Sequence, residues 1–353
     1  MRILLVALFS VSVAFAKVSV SVSVIPQAFF VQKIAGNLVE VNIMVQKGKS
    51  PETYEPNIKD LQKLSESQIY FTIGMPFENA WLRRFESANP HLKIIAPLEK
   101  GELEAYLTHY GLDEAHWHFH KDLVEANQNA DSLESTENMD KSSESAKSNE
   151  SSGESNESKP ESNADSVDLV DSANSADSVD SANLANSHLD AQGNHRHYPH
   201  IWLSFTLSKA HAQIIAQNLC EIDAPNCAIY EKNLARFEKE INKMFAYFKG
   251  IFGRKGGAFL VYHPAFSYIA NELGLKEIAI EKDGKEAKIA HTKEILELIK
   301  KHNIKKIFIQ PQFSAKNARA IAKEAKLSVK TADPLAFDWF ENVNAFLSEV
   351  AKD

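Results

Sequence analysis

The chain alternates short runs of β-branched and aromatic residues with longer segments whose apolar positions recur every three or four residues. Val18 to Val24 is such a run and reads as a buried strand; Ala28 to Ile34 reads as the helix after it, stopped at Gly36 and Asn37. Val39 to Val45 and Ile69 to Ile73, the latter ended by Gly74, are the next strands, with a helix over Ile58 to Leu64 between them. Trp81 to Phe85 begins another helical piece, and Leu92 to Ala96 another strand. The grammar returns downstream: strand Ala258 to Tyr262 and a helix through Ala270, helix Glu294 to Lys300 and strand Ile304 to Ile309, helix Ala315 to Ala325 and strand Leu327 to Thr331. Such alternation predicts an α/β protein of two lobes, with mainly parallel sheets flanked by helices.

Between the lobes the period changes. Tyr230, Leu234, Phe237, Ile241, Met244, Phe248 and Ile251 follow one another at steps of three and four, an apolar stripe along one long helix. Gly250, Gly253 and the Gly256-Gly257 pair break it. The expected organisation is a signal peptide over 1–16, a first lobe over 17–225, a linking helix over 226–252 and a second lobe over 253–353.

Composition adds two features. Arg2, an apolar run from Ile3 to Phe15 and the pattern Ala14-Phe15-Ala16 describe a secretory signal peptide cleaved after Ala16. The run is short for a membrane anchor, no Cys stands at the cleavage point to accept a lipid, and no later stretch reads as a membrane span, so a soluble periplasmic protein is expected. Residues 121–193 are Ser, Asn, Asp, Glu and Ala with almost no aromatics, a composition that predicts disorder. That segment holds 17 acids against 4 lysines, or −13, so the formal −8 of the whole chain leaves about +5 elsewhere. The remaining basic excess is slight and dispersed in sequence, which gives no reason to expect nucleic acid as a partner. Cys220 and Cys227 flank a turn-like stretch and read as either a local bridge or two free thiols.

Candidate chemistry lies at the ends of predicted strands, where open α/β sheets place their ligands. Lys47-Gly48-Lys49-Ser50-Pro51-Glu52-Thr53-Tyr54-Glu55-Pro56 follows the second strand, and Val261-Tyr262-His263-Pro264-Ala265-Phe266 closes the fifth. Tyr198-Pro199-His200-Ile201-Trp202-Leu203 precedes the long helix, and Thr331-Ala332-Asp333-Pro334-Leu335 follows the last strand. A His beside Pro is more often a packed loop residue than a ligand, and Asp-Pro often only starts a turn.

Taken together and in order, the four patterns resemble the zinc- and manganese-binding proteins of bacterial ABC transporters, the ZnuA-like group. That family typically shows Gly-x-Asp-Pro-His-x-Tyr-Glu-Pro, then Pro-His-x-Trp-Leu, His-Pro-Ala-Phe and a final Asp, and the resemblance covers nearly all of the chain outside the insertion. It implies two lobes joined by a rigid helix, a metal in the cleft between them, a permease as partner, a monomer, and no enzymatic activity. It carries the metal-ligand role to His200, His263 and Asp333, and to Glu52, which stands where the family has its first His. Two His and two carboxylates suit Zn2+, which raw affinity favours, and also suit Mn2+ or Fe2+, which accept more oxygen ligands. Glu55 or a water is the alternative to Glu52.

His116, His118 and His120 precede the acidic insertion, and His195 and His197 follow it. Zinc-binding members of the family carry a His-rich acidic loop at this place, which implies accessory zinc sites and favours zinc. Tyr54, Trp202 and Phe266 are candidates for an apolar shell around the ion. A metal-dependent hydrolase with Glu52 or Glu55 as general base is the enzymatic alternative, although no H-E-x-x-H pattern occurs. An adhesin on the same fold is a third reading.

Overall fold

Two four-stranded sheets, both parallel, organise the chain in a computed structural model that describes residues 17–99, 101–110, 200–281, 289–314 and 316–352. The expected signal peptide, the acidic insertion, and His116, His118, His120, His195 and His197 lie outside the described residues. In the first sheet β1 (Val18–Val22), β2 (Val39–Ile43), β3 (Ile69–Phe71) and β4 (Lys93–Ile95) stand in the order β2-β1-β3-β4. In the second, β5 (Ala258–Val261), β6 (Lys276–Ala279), β7 (Lys306–Ile309) and β8 (Ser328–Thr331) stand as β6-β5-β7-β8. The register pairs Val20 with Val41 and Ile69 in one sheet, and Leu260 with Ile278 and Ile307 in the other. A central parallel strand is covered on both faces, so β1 buries Ser21 with its valines, and the Ser21 hydroxyl meets that of Ser67 at 2.8 Å.

Helices α1 (Ile25–Ala35), α2 (Ile58–Ser65), α3 (Pro76–Ala88) and α4 (Glu102–His109) belong to the first lobe. Then come α5 (Phe205–Ile222) and α6 (Cys227–Phe252), followed by α7 (Ser267–Leu273), α8 (Ile289–Lys301), α9 (Lys316–Glu324) and α10 (Trp339–Val350). The stop expected at Gly36 is real: its φ of 57° is a left-handed value that only glycine adopts without strain. Strand β3 ends at Phe71 rather than Ile73, because the N–H groups of Ile73, Gly74 and Met75 turn to the Glu78 carboxylate. The helix expected from Trp81 accordingly starts earlier, with Pro76 in its first turn and Glu78 at its third position. No helix among the described residues is long and apolar enough to cross a membrane.

The predicted stripe is α6, 26 residues and about 39 Å long. It buries Tyr230, Phe237, Ile241, Phe248 and Phe252, and Leu234, Met244 and Ile251 are partly covered. Its aromatic face packs on both lobes: Phe237 lies 5.3 Å from Phe30 and 5.5 Å from Phe340 between ring centroids. Phe30 in turn meets Trp339 at 6.1 Å. One hydrophobic core therefore runs from the first sheet past α6 into the second lobe, and a smaller core lies beneath α8 and α9. The two cysteines are joined, tying the end of α5 to the first residue of α6.

Phe237→Ala should lower the unfolding free energy by about 3–5 kcal/mol through cavity formation. Denaturant melts of residues 17–353 check this, and an exposed substitution on α6, Lys243→Ala, should change little.

Candidate metal centre

Three loops converge, each held by hydrogen bonds its sequence supplies. Beyond β2, Gly48 takes a φ of 82° and the chain enters a single 3-10 turn, Pro51–Thr53, which carries Glu52. The next residues are pinned by Asp60, whose Oδ2 accepts from the Tyr54 hydroxyl at 2.5 Å and the Asn57 N–H at 2.9 Å. Beyond β5, Gln310 clamps the His263 backbone from both sides, accepting from its N–H at 3.1 Å and donating to its carbonyl at 2.6 Å. Glu277 accepts from the Phe266 N–H and the Ser267 hydroxyl, fixing the entry to α7.

His200 comes just before a 3-10 turn, Ile201–Leu203, that is buried throughout. The Trp202 indole donates to the Pro334 carbonyl at 2.7 Å, and the Trp202 carbonyl accepts from the Trp339 indole at 2.5 Å. Glu272 of α7 then accepts from the Ser204 hydroxyl and from the N–H groups of Phe205 and Thr206. Buried residues of the second lobe thus grip the start of α5 and with it His200. Burial raises the Glu272 pKa, and these bonds work against that rise.

Glu52, His200 and His263 meet, with donor atoms all within 4.8 Å of one another. Glu52 Oε1 is 3.0 Å from His263 Nε2 and 3.9 Å from His200 Nε2. On its other side His263 donates from Nδ1 to Glu281 Oε2 at 2.8 Å, while Phe313 stacks on its ring at 4.3 Å between centroids. Burial lowers the His263 pKa, yet hydrogen bonds to Glu281 and Glu52, and their charges, override it and bring the value to about 9. His200 is the opposite case: burial, reinforced by His263 and only partly offset by Glu52, drops it to about 3. Burial also acts to raise the pKa of Glu52, but His263 and His200 leave it below the usual carboxylate value. His200 is therefore a neutral imidazole beside a carboxylate, a pair of donors that zinc and other transition-metal dications accept.

Asp333, the fourth expected ligand, does not join this group. Its Oδ1 accepts from Gln312 Nε2 at 2.7 Å and from the Leu335 N–H at 3.0 Å, an arrangement that caps the turn after β8. Glu55 is exposed and also stands outside the group. Of the three aromatics expected around the site, Trp202 contacts His200 at 5.1 Å between centroids, whereas Tyr54 packs on Phe77 and Phe266 on Phe346. Phe313, not singled out in the sequence, takes the place against His263. Cys220 and Cys227 also lie near Glu231, but their sulfurs are bonded to each other and offer no thiolate.

Residues 20–349 match the model of a protein family described as ZnuA, zinc-uptake complex component A, periplasmic. The chain belongs to the ZnuA family. ZnuA-family proteins are substrate-binding proteins of metal transport rather than enzymes. A zinc-binding lipoprotein AdcA of Streptococcus pneumoniae is 29% identical over 148 residues, 41% of this chain and 30% of the relative. A zinc-binding protein AdcA of Streptococcus pyogenes is 21% identical over 322 residues, 90% of this chain and 50% of the relative. The chain thus spans half or less of the curated relatives it matches. A crystal structure of ZnuA superposes with a TM-score of 0.65 at 27% identity, covering 96% of this chain and 99% of that one.

Glu272→Ala would remove the acceptor of the Ser204 hydroxyl and of the Phe205 and Thr206 N–H groups, of which the first two are buried. Stability should fall by about 2–4 kcal/mol, and Glu272→Gln, which keeps an acceptor, should fall less. Thermal melts of metal-free protein give the order, and a wild-type melt for Glu272→Ala would refute the clamp.

Proposed function

We propose that this chain captures a divalent transition-metal ion, zinc, outside the cytoplasm and passes it to the membrane permease of an ABC transporter. One observation carries the reading: Glu52, His200 and His263, from segments far apart in sequence, bring a carboxylate and two imidazoles together in a largely buried pocket. Family membership supports extracytoplasmic metal capture, and the zinc-binding names of the relatives support zinc. The fourth position falls to Asp333 through Oδ2, the oxygen not used in capping its turn, or to water. His116, His118, His120, His195 and His197, flanking the acidic insertion, are proposed as weak accessory zinc sites.

Manganese or ferrous iron is the second reading, and Glu52 is what favours it. An oxygen donor where the family has an imidazole moves the set toward harder ions. Competitive zinc–manganese titration of residues 17–353, with and without 121–193, separates the readings. Zinc should be retained at one ion per chain in the cleft, and preferential retention of manganese would overturn the zinc assignment. His200→Ala with His263→Ala should abolish tight binding, and Glu52→His should shift the preference further toward zinc.

A further inference from the structure

Glu281 belongs to none of the motifs and lies beyond the short strand β6, yet its carboxylate is buried and fixed on the imidazole of His263. The two candidate histidines are held very differently. His263 is constrained at every point: Gln310 holds its backbone, Phe313 covers its ring face, and Glu281 accepts from Nδ1 while Nε2 points to Glu52. His200 is buried, but its Nδ1 has no hydrogen-bond partner among the described residues. Only one of the two rings has its outer nitrogen assigned by a charged partner.

We propose that Glu281 is the positioning residue of the metal centre: by accepting from His263 Nδ1 it fixes the ring with Nε2 facing Glu52, so that Nε2, on giving up its proton, is the atom offered to the ion. An imidazole has two nitrogens, and a ring free to rotate or change tautomer presents the donor atom only part of the time. A carboxylate on Nδ1 removes that freedom and makes Nε2 more electron-rich. Its residual negative charge also favours a cation a few ångströms away. His263 is thereby the fixed donor of the set. This inference rests on the proposed metal capture, and the test separates the two.

The experiment uses the mature chain, Glu281→Ala and Glu281→Gln, with zinc affinity measured by chelator competition and His263 followed by 15N NMR in the zinc-loaded state. Wild type should show a protonated Nδ1 and a metal-bound Nε2. Glu281→Ala should bind zinc about 10–100-fold more weakly and lose the slowly exchanging Nδ1 proton. Glu281→Gln keeps an acceptor at the same place and should recover most of the affinity and the Nδ1–H signal. If Glu281→Ala proves unfolded in its metal-free melt, the Gln variant decides through the NMR signature. Wild-type affinity and an unchanged Nδ1–H in Glu281→Ala would overturn the positioning role, as would a Gln variant as weak as Ala. A wild type that takes up no zinc would remove the capture reading itself.

Discussion

Phe29, Phe30, Phe237, Trp339 and Phe340 meet largely edge to face between the lobes, and keeping water out of this seam is the constraint on which the rest depends. A parallel sheet presents its loops at the carboxyl ends of its strands, so the loops after β2 and β5 can share a site only if the two sheets keep a fixed relation. Two lobes joined by a bare strand would lose that relation whenever they rocked. Here α6 lies against α1 and α5 on one side and α7 and α10 on the other, within one continuous core. Any reorientation would have to expose several aromatic rings, each removing on the order of 150–250 Å² from water. The site is thus assembled by packing remote from it.

Beyond the core, the loops are held by buried acids. Glu78 caps the turn after β3, Glu272 the start of α5, Glu277 the start of α7, and Glu281 the His263 ring. Burial raises the pKa of Glu78 to about 7, and Glu272 and Glu277 also rise, showing how costly a charge is in these places. Glu78, Glu272 and Glu277 are each kept by two or more N–H or hydroxyl donors. Such bonds are directional, so they specify loop conformation in a way that apolar packing alone does not.

The fold was largely legible because its signals are local. Valine runs mark β1 and β2, and the three-and-four spacing from Tyr230 to Ile251 marks α6. The failures have a common cause. Helix α5 is buried on most sides, so His211, Ser208 and Asn218 sit inside among apolar residues and blur its period. Strand β6 alternates Lys, Glu, Ile and Ala without a clear run, and with it Glu281 was missed. A carboxylate closing Ile278-Ala279-Ile280 was the available clue, but its importance depends on a neighbour 18 residues away. Asp333 is a mixed case: motif order singled it out, and the structure uses one of its two carboxylate oxygens to cap the turn after β8.

The site itself divides into a buried part and an accessible part, and this bears on its chemistry. The side chains of His200 and His263 are 4% and 7% exposed, whereas that of Glu52 is 28% exposed. Glu52 also sits on a single short turn, without a clamp comparable to Gln310 or Glu272. On the proposed reading, an ion arriving from solvent meets an oxygen donor first and the nitrogens behind it. His200 is neutral before the ion arrives, whereas His263, its pKa raised to about 9, gives up a proton to bind; both then hold the ion by lone-pair donation. Glu52 supplies the charge, and the contact that holds it is the one to His263 Nε2, which the ion itself would replace. On the same reading, a glutamate at this position does more than set metal preference. It puts the electrostatic attraction on the donor freest to release the ion, which suits a carrier better than a permanent holder.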